Sequence, residues 1–181
     1  MNRIIRDIPS THVVEGNKRS SLRQDVSAEL KKRGQACRCI RCREVKTRQV
    51  DIATLILKDL TYRAGMAEEH FISYNTPEDR LAGYLRLSFP AANAPQMEMP
   101  DLEGAALIRE VHVFGQSLAV GAEKSGAAQH IGLGTQLLLE AEQIAHSKGF
   151  SRLAVIAAIG TRLYYEKRGF ERGKLYMIRN I

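Results

Sequence analysis

The order of apolar segments is the feature of this 181-residue chain that most limits its fold. Segments 53–63, 69–74 and 80–89 are rich in Ile, Leu, Tyr and Phe, and the turn-forming residues 75–79 separate the last two. This pattern predicts an antiparallel meander of strands. A Pro- and Gly-containing loop at 90–104 and a strand at 107–114 follow. The pattern then changes to a Gly-rich turn, a helix, a strand and a second helix, which together favour an α+β domain built on one mixed sheet.

The second half of that pattern has clear helix and strand limits. Residues 135–148 have the periodicity of an amphipathic helix that Gly149 ends, and residues 152–158 alternate as a strand. Before the meander, Ser21 is a good N-cap for a helix that carries Leu22, Val26 and Leu30 on one side. A short strand-like stretch at 12–14 precedes that helix. We therefore predict two parts, a basic and Cys-rich segment at 1–50 and a larger domain at 51–181.

The positive charge of the chain is concentrated in the first of these parts. Residues 1–50 hold 13 Lys and Arg against 5 Asp and Glu, whereas the remainder holds 14 against 15. Such a segment favours an acidic partner, most often nucleic acid, because phosphate contacts release counterions. The alternative is a solvated basic surface. No run of 18 uncharged apolar residues occurs and residues 1–10 lack an apolar signal core, so we expect a cytoplasmic protein that does not enter a membrane.

Three cysteines, Cys37, Cys39 and Cys42, lie within six residues. In a reducing compartment this density favours a metal over a disulfide, and thiolate ligands favour zinc. A structural zinc normally has four ligands, so His112, His70 or a water would complete the shell. Three thiols without metal are the alternative.

A glycine-spaced motif at 129–135 lies where the pattern turns from strand to helix. Glycine allows a close approach of backbone to ligand, and the start of a helix favours a pyrophosphate. The alternative is a helix-start turn in which glycine only permits packing. The motif residues are Gln129, His130, Ile131, Gly132, Leu133, Gly134 and Thr135.

A second motif, Tyr164-Tyr165-Glu166-Lys167-Arg168-Gly169-Phe170, follows about thirty residues later. Together the two motifs resemble those of the GNAT N-acetyltransferase family. The resemblance implies a mixed central sheet flanked by helices, with acetyl-CoA as co-substrate and its pyrophosphate on residues 129–135. It also implies that Tyr165 protonates the departing CoA thiolate, with Tyr164 as a second catalytic or CoA-binding candidate. Both tyrosines could instead be packing residues.

The strand at 107–113 resembles the family strand whose backbone binds pantetheine and the thioester carbonyl. This resemblance implies that Val111 and Val113 bind acetyl-CoA. Glu110 or His112 could act as a general base, since amine attack needs a proton acceptor near neutral pH. Either side chain could equally be structural. Ala158 and Thr161 stand where family members often have Asn and Ala, so the usual acceptor chemistry is in question.

Three stretches, at 5–10 with 22–24, at 37–44 and at 109–115, resemble the family of Elongator catalytic subunits, which modify the wobble uridine of tRNA. This resemblance implies an acetyl-CoA-binding acetyltransferase domain that uses or hydrolyses acetyl-CoA in a tRNA-dependent manner. It also implies zinc on the cysteines and the tRNA anticodon stem-loop as partner. The expected phosphate contacts are Lys18, Arg19, Arg23, Lys31 and Lys32.

Family members also carry a radical S-adenosylmethionine domain with an iron–sulfur cluster, and we expect that domain to be absent from this chain. Two other functions remain open. One is a conventional protein lysine N-acetyltransferase, and the other is a non-catalytic module that binds acyl-CoA and tRNA.

Overall fold

The structure, a computed structural model, describes residues 9–16, 18–19, 21–46, 50–95, 98–115 and 128–181, with the side chains of 128–131 left out. The chain divides into two compact units, Met1–Glu44 and Val45–Ile181. The sequence pattern placed this boundary after residue 50. Among the described residues, no helix is both long and apolar enough to cross a lipid bilayer.

The first unit contains two helices, α1 at Leu22–Lys32 and α2 at Ile40–Arg43. Helix α1 follows Ser21 and ends before Gly34, whose φ of 67° is the left-handed conformation that glycine adopts easily. The prediction of a strand-like stretch at 12–14 is wrong. A 3-10 turn spans Ser10–His12 instead, because Val13 N–H bonds locally to Ser10 O and the stretch forms no strand pairing.

The second unit contains a seven-stranded sheet in the order β1-β2-β3-β4-β5-β7-β6. All neighbouring strands are antiparallel except β4 and β5, which run parallel. The predicted meander and the predicted α+β fold, a mixed central sheet flanked by helices, are confirmed. The strands are β1 Ile56–Ala64, β2 Ala67–Asn75, β3 Leu81–Pro90, β4 Ala105–Val113, β5 Arg152–Val155, β6 Glu171–Arg172 and β7 Met177–Asn180, and the helices are α3 Ala128–Ser147 and α4 Arg162–Glu166.

Helix α3 covers the sheet and forms the main core with it. Its buried side chains recur at helical spacing and pack against β3, β4 and β5. The sequence predicted that α3 begins at residue 135, after a glycine turn, but the helix begins at Ala128 and includes Gly132 and Gly134. Leu133 is 1% exposed and Leu137 is fully buried, so this apolar stripe continues through the glycines. Its burial outweighs the cost of about 1 kcal/mol for a glycine in a helix.

The predicted loop at 90–104 is fixed at its C-terminal end. Asp101 is buried, and its Oδ2 accepts hydrogen bonds from the backbone N–H groups of Leu175 and Tyr176 at 2.8 and 3.1 Å. These hydrogen bonds lower the pKa of Asp101. Arg152 donates to the carbonyls of Pro100 and Glu103. The loop is therefore tied to the β6–β7 end of the sheet.

Candidate functional site

The parallel strands β4 and β5 part halfway along β4. They pair only from Ala105 to Ile108, and β5 ends at Val155. The rest of β4 continues to Val113 with β3 as its neighbour on one side. No described strand pairs with the other edge of residues 109–113. Within the described part of the chain, the backbone donors and acceptors of that edge have no strand partner, so they can pair with a ligand.

The glycine motif approaches this opening through Gly134. A Cβ atom added at Gly134 would lie 2.5 Å from the Tyr164 Oη and 3.5 Å from Val113 Cγ2. The structure thus brings together one predicted residue from each of β4, α3 and α4. Gly132 is different, because it is exposed and an added Cβ would meet no atom of the described residues within 4 Å. Gln129, His130 and Ile131 have helical backbone, but their side chains lie outside the described residues.

Arg168 is a site residue that the sequence analysis missed. Its Nε donates to Thr135 Oγ1 at 3.0 Å, and its Nη1 donates to the carbonyl of Tyr164 at 2.8 Å. The guanidinium also lies 3.6 Å from the centre of the Tyr164 ring. The available signal was its position four residues after Tyr164, one helical turn along the chain. Arg168 therefore joins both motifs and brings a permanent positive charge to them.

The two tyrosines are both packed residues. Tyr165 is 7% exposed, and its ring lies edge-on to Tyr164 and Phe170 with centroids 5.2 and 5.4 Å apart. Burial raises the pKa of Tyr165 to about 12. Burial also raises the pKa of Tyr164, against opposing effects of Arg168 and of a hydrogen bond with Thr135. Both phenols are therefore protonated at neutral pH.

Glu110 lies on the opposite face of β4 from Val111 and Val113, both of which pack against the core. Its Oε2 accepts a hydrogen bond from Tyr84 Oη at 3.1 Å and lies 3.1 Å from His112 Nε2. Its Oε1 forms an ion pair with Arg86 Nε at 2.9 Å. Both carboxylate oxygens thus have partners, and Glu110 belongs to a polar group that crosses β3 and β4.

The three cysteines are close enough to share one metal ion. Their Sγ atoms all lie within 4.8 Å of one another, and Arg23 Nη2 lies 3.7 Å from Cys42 Sγ. A tetrahedral zinc with Zn–S bonds of about 2.3 Å is compatible with this donor set. In the free thiols, a backbone hydrogen bond at Cys39 lowers the pKa of Cys37, but burial and the neighbouring thiols raise it overall.

The predicted histidine ligands both have other partners. His70 Nδ1 lies 2.7 Å from Asp59 Oδ2, and its Nε2 lies 3.1 Å from Glu68 Oε1. His112 Nε2 is engaged with Glu110. His70 therefore has no ring nitrogen left for a metal in this structure, and the fourth ligand stays open.

The predicted phosphate contacts lie in the first unit. Lys18, Arg19, Lys31 and Lys32 are exposed, whereas Arg23 is half-buried beside Cys42. Arg19 forms an ion pair with Asp25 at 2.5 Å. Lys31 and Lys32 occupy the last turn of α1. Their ammonium groups are accessible to a phosphate backbone.

A cleft of about 700 Å³ lies elsewhere, beside the turn between β1 and β2. Phe89, Phe150, Glu68 and Lys148 are among its lining residues. Lys148 forms an ion pair with Glu68, and this contact lowers the pKa of Glu68. Because β3 and β4 are antiparallel, this end of the sheet holds the start of β4 and not Val113. None of the predicted site residues that the structure describes lines the cleft.

Comparison with known proteins gives strong sequence similarity to one group, although no protein-family model matches the chain. The chain is 39% identical over 185 residues to the tRNA uridine(34) acetyltransferase of Dehalococcoides mccartyi, covering 100% of this chain and 40% of that protein. It is 38% identical over 188 residues to Elongator complex protein 3 of Danio rerio, covering 99% and 33%.

A solved structure gives the same grouping. The archaeal Elp3 of Methanocaldococcus infernus, with residues 1–46 deleted, matches with a TM-score of 0.79 and 35% identity over 99% of this chain and 44% of that one. The chain spans 33% to 40% of the length of the two curated relatives.

Proposed function

Because the chain is related along its whole length to one part of the Elongator complex protein 3 and tRNA uridine(34) acetyltransferase family, we propose that it is the acetyl-CoA-binding part of a tRNA uridine-34 acetyltransferase. The observation that carries the proposal is the parting of β4 and β5 beside Gly134 and Tyr164. An extended acyl chain fits such an opening, and a diphosphate fits the glycine-containing start of the neighbouring helix.

The pantetheine arm binds along the edge of β4. Amide groups of pantetheine pair with the backbone at 109–113 in the way that an added strand pairs with a sheet. The parallel register with β5 ends at Ile108, which leaves room for the arm beyond that point. The side chains of Val111 and Val113 stay in the core and hold the strand in place. The contact with acetyl-CoA is thus made by backbone and does not depend on polar side chains of β4.

The diphosphate binds at the N-terminal part of α3. The first N–H groups of a helix have no partner within it, and the helix dipole favours negative charge there. The first four N–H groups of α3 belong to residues 128–131. Among the described residues no atom lies within 4 Å of a Cβ built at the following Gly132, so a phosphate can approach the helix start there. Arg168 adds a positive charge that Thr135 and the Tyr164 carbonyl hold in place. Gly134 keeps Tyr164 close enough for this arrangement.

Tyr165 stabilises the departing thiolate as a hydrogen-bond donor and keeps its proton. Its pKa of about 12 exceeds that of a thiol near ~8.5, so complete proton transfer would cost roughly 5 kcal/mol. A neutral phenol that donates a hydrogen bond to the thiolate avoids this cost, and solvent then supplies the proton. Glu110, held by Tyr84 and Arg86, orients an attacking water or hydroxyl on the other face of β4.

The Cys-rich segment contributes a structural metal and a contact surface for RNA. Cys37, Cys39 and Cys42 would hold zinc as thiolates, and the bound ion would fix the segment around α2. The exposed cations of α1 contact phosphates of the anticodon stem-loop, which gives affinity without sequence choice. The radical step that the family resemblance implies would need a domain outside the part of those relatives that this chain matches.

The test is acetyl-CoA turnover, followed as release of free thiol, with tRNA, with acidic or basic peptides, and with no addition. We expect tRNA alone to stimulate turnover. Turnover that requires a peptide would replace the proposal with a protein lysine N-acetyltransferase. Binding of acetyl-CoA without turnover under any condition would leave a non-catalytic module. Zinc content is measured on the same protein, so that loss of the metal is not mistaken for loss of function.

A further inference from the structure

The outer edge of the sheet is an unusual surface. Strand β1 is the first strand of the sheet, and all nine of its residues are exposed. Its outer edge pairs with no strand among the described residues. Ile56, Leu60 and Tyr62 on this strand, and Met66 in the following turn, are 47%, 63%, 38% and 46% exposed. Natural proteins normally protect a long apolar edge, because it is a template for pairing with another chain.

The hairpin geometry determines which residues of β1 can pair outward. Ala64 and Ala67 are opposite each other across the two-residue turn that begins at Gly65, so they form a hydrogen-bonded pair. Hydrogen bonding alternates along an antiparallel pair. Consequently Asp59, Thr61 and Arg63 direct their backbone N–H and C=O groups away from β2.

We propose that β1 pairs antiparallel with β1 of a second copy of this chain, around a twofold axis at Thr61. In that register Thr61 lies opposite its own copy, and Asp59 lies opposite Arg63 twice. Each of these is an outward-directed pair, as the backbone requires. Opposite charges on directly opposed residues stabilise an antiparallel pair, whereas the neighbouring registers that keep outward-directed residues opposed would place Arg63 opposite Leu57 or Thr61.

The same register accounts for the exposed apolar side chains. Leu60 lies opposite Tyr62, and Ile56 lies opposite Met66, each twice in the dimer. All four side chains occupy one face of the strand or its adjoining turn, since alternate residues of a strand share a face. Aromatic and aliphatic pairs of this kind stabilise neighbouring strands. A second copy thus satisfies the outward backbone groups and the exposed apolar side chains of β1 at once. It also gives Asp59, whose Oδ2 already lies 2.7 Å from His70 Nδ1, a second partner in Arg63.

Two experiments on the 181-residue chain test this inference, which is independent of the proposed activity. The first is disulfide trapping. Opposed hydrogen-bonded residues have Cα atoms about 5.5 Å apart, within the range of about 4.4–6.8 Å for disulfides. Thr61→Cys should give a covalent dimer under mild oxidation, whereas Lys58→Cys, which the register places opposite Ala64, should not. Equal trapping of the two variants would overturn the proposed register.

The second experiment is sedimentation velocity over a wide range of protein concentration. The parent chain should reach twice the mass of one chain, and Leu60→Lys should raise the dissociation constant of the dimer by about tenfold or more. Leu139→Lys is the matched control, because Leu139 is 45% exposed but lies on α3. A parent chain that stays monomeric at all concentrations, or equal weakening by both variants, would overturn the proposal.

Discussion

Gly134 and Tyr164 are packed so closely that position 134 has no room for a side chain, since an added Cβ would lie 2.5 Å from the Tyr164 Oη. The contact joins α3 to α4 at the place where β4 and β5 part. It also shows why the two glycines of one motif are not equivalent. Gly134 is required by a neighbouring side chain, whereas no atom of the described residues lies within 4 Å of a Cβ added at Gly132.

Gly134→Ala should therefore destabilise the protein without any ligand. Overpacking costs about 1–3 kcal/mol, and the better helix propensity of alanine recovers up to about 1 kcal/mol. Thermal unfolding should show a lower Tm, and Tyr164→Phe in the same chain should restore it by removing the hydroxyl.

Gly132→Ala is the contrasting variant. It should leave the Tm unchanged or raise it, but weaken acetyl-CoA binding measured by calorimetry, because the new methyl group occupies the proposed diphosphate site. A fall in Tm for Gly132→Ala, with normal acetyl-CoA affinity, would contradict this distinction.

The raised pKa of Tyr165 predicts how the protein responds to alkali. The folded state disfavours the phenolate, so its pKa of about 12 exceeds the unfolded value near ~10. The resulting stability is present below pH ~10 and is lost as the pH rises towards 12. Denaturant unfolding between these pH values should show a smaller loss for Tyr165→Phe than for the parent.

The same variant tests the hydrogen bond to the thiolate. At neutral pH, Tyr165→Phe should retain acetyl-CoA affinity and lose about tenfold or more in turnover. Unchanged turnover would make Tyr165 a packing residue only.

Asp101 predicts a local response to acid. Its pKa is lowered by the backbone N–H groups of Leu175 and Tyr176, so the stability it contributes is present above its unfolded pKa and is lost as the pH falls through the lower folded value. Asp101→Ala should increase hydrogen exchange at those two amides at neutral pH. The amides of β2 serve as the internal control. Unchanged protection at Leu175 and Tyr176 would show that the carboxylate does not hold this end of the loop.

The sequence predicted those parts of the structure that depend on local periodicity. The meander, α1 and α4 follow from apolar spacing and turn residues. Ser21 precedes α1 as predicted, but its side chain makes no capping hydrogen bond. The start of α3 could not be predicted in this way, because Gly132 and Gly134 have low helix propensity. The helix extends through them because Leu133 and Leu137 are buried against the sheet. Strands β6 and β7 were missed because β6 has two residues and β7 has four, too few for periodicity to be visible.

Site prediction had a similar limit. Motif spacing identified Gly134, Tyr164 and Thr135, and the structure brings them together. Arg168 was missed because its spacing relates it only to Tyr164, whereas its contact with Thr135 of α3 depends on how the chain after α4 packs against that helix. Glu110 was proposed as a base from its residue type and from its place on the strand that resembles the pantetheine-binding strand of the family. Its partners Tyr84 and Arg86 come from the neighbouring strand, and only the register of β3 with β4 reveals them.

The cysteine cluster predicts one bound zinc per chain. Cys39→Ser should lose most of the metal, because the remaining two thiols leave the tetrahedral shell half complete. Metal content measured by emission spectroscopy on protein purified without chelator checks this. His146→Ser removes an exposed donor on α3 and should keep the full zinc content. Equal zinc in parent, Cys39→Ser and His146→Ser would place the metal elsewhere or show adventitious binding.

Lys31 and Lys32 should contribute to tRNA affinity through charge alone. Both ammonium groups are exposed at the end of α1, and each phosphate contact releases counterions. The double variant Lys31→Ala/Lys32→Ala should weaken binding of an anticodon stem-loop about equally for different sequences. It should also reduce the slope of log affinity against log salt concentration by about 2, roughly one unit for each lost contact. Filter binding at several salt concentrations measures both quantities.

Lys174→Ala is the control, since Lys174 is an exposed cation between β6 and β7. If that control changes the slope as much as the double variant, the effect belongs to net charge and not to a contact surface on α1.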